Sequence, residues 1–327
     1  MKTRKYIIIF LVLIAPLIYV LSCNRQGNPD TGNIITFKKQ LSAYKLFQGE
    51  IKALNPAVGV ELLELSSTLF TDYAEKQRLI RMPAGKKLIL KGNGLPIFPE
   101  GTLLAKTFYY QYEAGSRKQI IETRLLILAN SKWNVATYKW NKDQTEAFLM
   151  DDVATVLLKV KSPDGIQRHV GYQIPSRRDC ISCHHSDNSI LPIGPKARNL
   201  NRSVEREGKQ VNQLAYLMKK GLIEDTEIAH LENLPNYRDN HLPIEQRARA
   251  YMDINCGHCH QSGGDAGRTT VNLDYSTNLD FSGIKINKNN IIIRTNTLGE
   301  YHMPKLGTTV IDKEGVELIK AYILSMQ

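Results

Sequence analysis

Two pentapeptides hold the residues whose types and spacing could do chemistry. Cys180-Ile181-Ser182-Cys183-His184 recurs in kind as Cys256-Gly257-His258-Cys259-His260. In each, two thiols separated by two intervening residues share one short helical turn, where each can add to one of a porphyrin's two vinyl groups. The histidine after the second thiol then comes up beneath the ring and offers its imidazole to iron. C-x-x-C-H is the attachment signature of c-type haem. Its double occurrence predicts two covalently bound haem c groups, held by Cys180, Cys183, His184, Cys256, Cys259 and His260. The metal ligands among these are His184 and His260; no residue is singled out as catalytic.

Two other chemistries use the same residue types. A shared zinc site would have to bring the two cysteine pairs together across a long insert, and it would leave His184 and His260 without a purpose. Cys256-Gly257-His258-Cys259 also matches a thiol-oxidoreductase tetrad. It lacks the tryptophan before and the lysine after that usually accompany that site, and His260 follows instead. All four thiols belong to C-x-x-C pairs, so none is left for a disulfide framework.

The fifth cysteine, Cys23, closes an export signal. Lys2, Arg4 and Lys5 precede an apolar run from Tyr6 to Leu21 that is short for a membrane span, and Val20-Leu21-Ser22-Cys23 follows the lipobox pattern. This predicts a signal peptide over 1–22, lipidation of Cys23 and a polar tether over 23–35; an uncleaved N-terminal anchor is the alternative. Either way the body lies on the periplasmic side of a bacterial membrane, anchored by lipid, with inner against outer membrane undecided. The formal charge is +11, of which Lys2, Arg4 and Lys5 leave with the signal. A basic body suits docking to an acidic redox partner, or simply a solvated surface. No Lys/Arg run or aromatic–basic interleaving points to nucleic acid.

The elements that must position the two motifs differ along the chain. Between 36 and 170, short β-prone runs are separated by turn residues: 106–112, 119–128, 133–140 and 153–160. They predict a mostly antiparallel β domain, with Trp133 and Trp140 in its packing. The character changes after His169. A helix is expected over Lys209–Lys220, with Leu214, Leu217 and Met218 on its apolar side and Gly221 as its stop. Pro243 opens another that carries Ala248, Tyr251 and Met252 into the second motif. Asp312 N-caps a last one bearing Val316, Ile319, Tyr322 and Ile323. The expected architecture is multidomain: a mostly antiparallel β N-terminal domain (36–170) followed by mainly α, cytochrome c-like haem domains at 171–240 and 241–327.

Residues 241–327 resemble a small class I cytochrome c in their order of helix, C-x-x-C-H, Gly-rich loop, Met-Pro and helix. That resemblance implies Met303, in His302-Met303-Pro304-Lys305-Leu306-Gly307, as distal ligand of the second iron, with His302 as the alternative. The first motif has no such partner. His169, His185, His230, His241, Met218 and Met252 are the candidates, and a five-coordinate iron is a further option. The whole mature chain is similar to a family of exported dihaem c-type cytochromes with a β-rich region ahead of two haem motifs. Matching segments include Leu69–Ala74 with Lys76 and Arg78, and Phe98–Thr102 with Lys106-Thr107-Phe108. Others are Glu122–Leu126, Pro175-Ser176-Arg177, Asn212-Gln213-Leu214, Arg247–Tyr251, Asn255–His260 and Met303–Gly307. The family implies haem attached outside the cytoplasmic membrane, and electron transfer, without a named substrate. Gly257 stands where alanine is commoner, a change expected to be neutral for attachment.

Three function classes follow. The leading one is an electron carrier between a periplasmic dehydrogenase and a terminal oxidase or another cytochrome. The second is a dihaem peroxidase-type enzyme with an open first haem. The third is a binding protein whose β domain uses aromatics such as Tyr109, Tyr110 and Tyr112.

Overall fold

Alternation of apolar and polar residues builds the centre of the molecule. The computed structural model describes residues 35–111, 118–161 and 165–326. The signal, Cys23 and Tyr112 lie outside the described residues. Six strands pair antiparallel in chain order: β1 (Val60–Leu62), β2 (Glu75–Arg81), β3 (Leu103–Tyr110), β4 (Gln119–Ala129), β5 (Lys132–Trp140) and β6 (Ala147–Met150). Directly paired residues in such a sheet share a face. Leu79, Ala105, Leu125 and Ala136 therefore line up on one side. They pack under Leu41, Tyr44 and Leu46, which come from the chain entering the sheet. One residue along each strand, Arg78, Lys106, Arg124 and Thr137 line up on the other side.

That second side carries the rest of the chain. A hairpin of β7 (Ala154–Lys161) and β8 (Gln167–Ile174) sets Tyr172 against Phe108 and Tyr110. Helix α1 (Arg177–His184) lies across β5, with Cys180 in a cluster with Leu126, Trp133 and Val135. Two short hairpins follow, β9 (His185–Ser186) with β10 (Ser189–Ile190) and β11 (Ser203–Arg206) with β12 (Lys209–Asn212), separated by helix α2 (Ala197–Leu200). Helix α3 (Gln213–Lys219) comes next. Helices α4 (Ile244–Met252), α5 (Ile284–Thr295) and α6 (Lys313–Leu324) then enclose a cluster of Met252, Leu273, Ile284, Ile319 and Tyr322.

The fold class departs from the expectation of a β domain followed by mainly α haem domains. The protein is mostly β, organised by the six-stranded sheet, with six α-helices among the described residues, two of them of seven residues or fewer. The reason is visible at the first motif. Its helix is eight residues long and buries Cys180 on the sheet, so strands take the part expected of neighbouring helices. The expected helix over Lys209–Lys220 is likewise corrected. Lys209–Asn212 is a strand, and Asn212 caps α3 by accepting from Ala215 N at 3.1 Å. The Glu207-Gly208 turn, both residues at positive φ, favours the hairpin over an earlier helix start. Among the described residues no helix is long and apolar enough to cross a membrane.

Candidate functional site

The first motif is fixed by its cap. Ser176 accepts from Asp179 N, and the Asp179 carboxylate accepts from Ser176 N at 2.9 Å, a reciprocal box that starts α1 just after β8. Cys180 and Cys183, three residues apart, fall on one side of the helix. Cys180 is buried, its Sγ 3.7 Å from Thr137 Oγ1 on the sheet. His184 is held through its backbone and its ring. Leu191 N donates to His184 O at 2.8 Å, and His184 Nδ1 lies 2.7 Å from Leu191 O. With Nδ1–H donating to that carbonyl, Nε2 is the nitrogen left to bind a metal, the arrangement that orients ligating imidazoles.

The second motif sits at the end of α4, where the helix widens into a π-turn over Asp253–Gly257. Asn255 anchors it: its side chain accepts from Phe70 N at 2.7 Å and donates to Tyr251 O at 3.0 Å. His260 N and Cys259 N both donate to Cys256 O, closing a single turn around the two thiols. His260 Nδ1 is 3.3 Å from Thr269 Oγ1, so its Nε2 is also free. Gly257 has a local reason. A Cβ there would stand 3.1 Å from Leu273 O, tighter than ordinary contact, and Leu273 N is the donor to His260 O.

The two motifs meet. Asp187 N, in the turn after the first motif, donates to Gly263 O, in the loop after the second, at 2.8 Å. One cavity of about 210 Å³ is lined by Cys183, His184 and His185 from the first side and by His258 and Gln261 from the second. A buried clamp reinforces the junction. Lys196 Nζ reaches Asp253 Oδ1 at 2.9 Å and Asp274 Oδ2 at 2.8 Å, and Arg198 reaches the same two carboxylates at 3.1 Å. A second, smaller cavity beside His184 is floored by Arg78, Lys106 and Arg124. Another concavity, about 630 Å³ around Lys118, Trp140 and Leu157, touches neither motif. Physical chemistry, rather than size, makes the smaller cavities the site.

The remaining candidates separate clearly. His230 and His241 are exposed, His169 lies exposed on β8, and Met252 is spent in the helical core. Met218 packs beside Leu214 and Leu217. Of the six distal candidates for the first motif, only His185 lines its 210 Å³ cavity. His258 lines it too and was not singled out by the sequence. Its place inside a C-x-x-C-H made it read as spacer, yet its buried Nδ1, like that of His185, has no hydrogen-bond partner. For the second motif, Met303 N donates to Arg294 O at the end of α5. His302 is engaged elsewhere: Nδ1 lies 2.7 Å from Thr297 O and Nε2 3.0 Å from Thr308 Oγ1. The loop beyond is pinned by Asp72, which accepts from Thr309 N and Val310 N.

Burial sets the protonation of these groups. It pushes Cys183 up to about 12, helped by the neighbouring Cys259, and Cys256 to about 12 and Cys259 to about 11. Burial pushes the Cys180 thiol up as well. With nothing bound, burial therefore keeps these thiols in the neutral S–H form rather than as thiolates. All four are free of disulfides, and no three His, Cys, Asp or Glu side chains converge as a metal cage among the described residues. Burial also holds His184 down to about 3, so its imidazole is neutral. Paired free thiols and a following histidine with Nδ1 anchored fit a covalently attached haem in both motifs. No family model, curated protein or solved structure matches the chain.

Proposed function

We propose that this is an exported, membrane-tethered dihaem c-type cytochrome that passes electrons between a periplasmic donor protein and a respiratory acceptor. The observation that supports it best is the meeting of two C-x-x-C-H motifs around one cavity. In this reading Cys180 and Cys183, and Cys256 and Cys259, hold two haem c groups by thioether bonds, with His184 and His260 as proximal ligands. Haem c, when bound, supplies one-electron exchange between ferric and ferrous iron. The chain's own residues do the rest. Leu191 orients His184, and Thr269 orients His260. The Lys196–Arg198 clamp keeps the two motifs side by side. Cys23 provides the tether. Met303 supplies the second distal ligand, a role supported by the engagement of both His302 nitrogens elsewhere. His185 and His258 both line the first motif's cavity, each with a buried Nδ1 that has no hydrogen-bond partner. His258 is assigned the sixth position because His185 directly follows the proximal His184 in the chain, which strains ligation of one iron by both.

The dihaem peroxidase alternative differs in one observable. Optical and EPR spectra of the oxidised full chain should show two low-spin irons and no peroxide turnover. A high-spin first iron that reacts rapidly with peroxide would replace the carrier reading with the enzyme one.

A further inference from the structure

The sheet face beneath the first motif carries more positive charge than the protein neutralises. Arg78, Lys106 and Arg124 are paired partners across β2, β3 and β4, so their side chains leave the sheet side by side on one face. Like charges directly opposite on neighbouring strands are destabilising, and here the row is half-buried and floors the cavity beside His184. Lys76 adds a fourth cation two residues along β2. One buried carboxylate answers them. Glu122 takes both Arg124 Nε and Nη2, and also accepts from Tyr172 OH at 2.6 Å. Among the described residues Arg78 and Lys106 have no ion-pair or hydrogen-bond partner. Burial, and then mutual repulsion with neighbouring cations, drives Lys76 and Lys106 well below the ordinary lysine range. A row of this kind over a desolvated cavity is relieved either by loss of a lysine proton or by a matching anion. The guanidinium of Arg78, which keeps its charge, favours the anion.

We propose that Arg78, Lys106 and Arg124 form a carboxylate-binding floor whose ligand is the pair of propionates of the haem attached at Cys180 and Cys183. This rests on the haem reading above. The row borders the cavity that His184 also lines. Haem is a dicarboxylate, and a guanidinium beside an ammonium suits one carboxylate each. Because the added electron makes the site more negative, the row favours the ferrous form and raises the first iron's potential relative to a neutral floor. These are positioning and charge-compensating residues, not catalytic ones.

The test uses the full chain matured in a haem-attaching host. Haem per chain is counted by pyridine haemochrome, and both potentials are read by spectroelectrochemical titration. Arg78→Gln and Lys106→Met should each disfavour reduction of the first iron roughly tenfold, 59 mV for one electron, with the second iron unmoved. Lys106→Arg, which keeps the charge and is the safeguard against a folding defect, should restore the wild-type value. Two haems with unchanged potentials in Arg78→Gln and Lys106→Met would overturn this inference while leaving the haem reading intact. So would a spectral response of the wild type to added acetate or nitrite that both variants lose, because the row would then hold an exchangeable anion. A wild-type chain without covalent haem would overturn both.

Discussion

Replacing Arg198 by methionine probes the junction between the motifs most sharply. Arg198 is 4 % exposed and Asp253 is fully buried, and they meet at 3.1 Å. Removing one partner of a buried ion pair costs about 3–5 kcal/mol, because the remaining charge stays desolvated. Lys196 still reaches Asp253 at 2.9 Å and Asp274 at 2.8 Å, so the loss should fall at the lower end, about 3 kcal/mol. For a chain of this size each kcal/mol moves the melting temperature by about 1.5–2 °C, which gives a drop of about 5–6 °C. Lys196→Met should cost less, since Lys196 is more exposed and Arg198 would remain beside both carboxylates. The assay is thermal melting of the purified full chain at neutral pH and moderate salt. A variant Arg198→Met that melts within about 2 °C of wild type would refute the clamp, as would a larger loss in Lys196→Met.

Other outcomes follow from the same geometry. Asp274 is raised by burial but pulled lower overall by Lys196 and Arg198. Its contribution is therefore present above its unfolded value of about 3.9 and is lost as pH falls through the lower folded value. Asp274→Asn should melt below wild type at pH 7, and the gap should close as the pH is taken below about 4. Gly264→Ala places a Cβ 2.4 Å from Cys259 O, a backbone atom that cannot yield cheaply. A loss of about 1–3 kcal/mol in urea unfolding is expected, as for other overpacked sites. Met303→Ala should lower the second haem's potential and shift its spectrum while leaving the first unaltered, and His258→Ala should do the converse; difference spectra of the two variants check both.

The sequence is most legible where chemistry depends on spacing. Both C-x-x-C-H motifs can be read directly, and their histidines prove to have Nδ1 anchored, at Leu191 O and near Thr269 Oγ1. The strands over 119–129 and 132–140 follow their β-branched and aromatic runs, and the Asp312 cap accepts from Gly315 N. The misreadings have physical causes. A helix over 209–220 rested on Leu214, Leu217 and Met218, but the segment before Asn212 is settled by a turn that pairs it with β11. The mainly α expectation failed because helical periodicity is a local signal, whereas α1 is defined by what it packs on: Cys180 against Trp133 and Val135. The charged row was visible only as three separate residues. Arg78, Lys106 and Arg124 become neighbours through register, which long-range pairing alone decides. His258 was hidden for a related reason, since its neighbour in space, His184, is 74 positions away.

The central claim, two covalently held haems on adjacent motifs, is tested most directly by intact mass and pyridine haemochrome analysis of three chains. These are the wild type, Cys180→Ala/Cys183→Ala and Cys256→Ala/Cys259→Ala, each expressed with the haem-attachment machinery. The account predicts two haems on the first and one on each of the others. One haem on the wild type, or none, would contradict it.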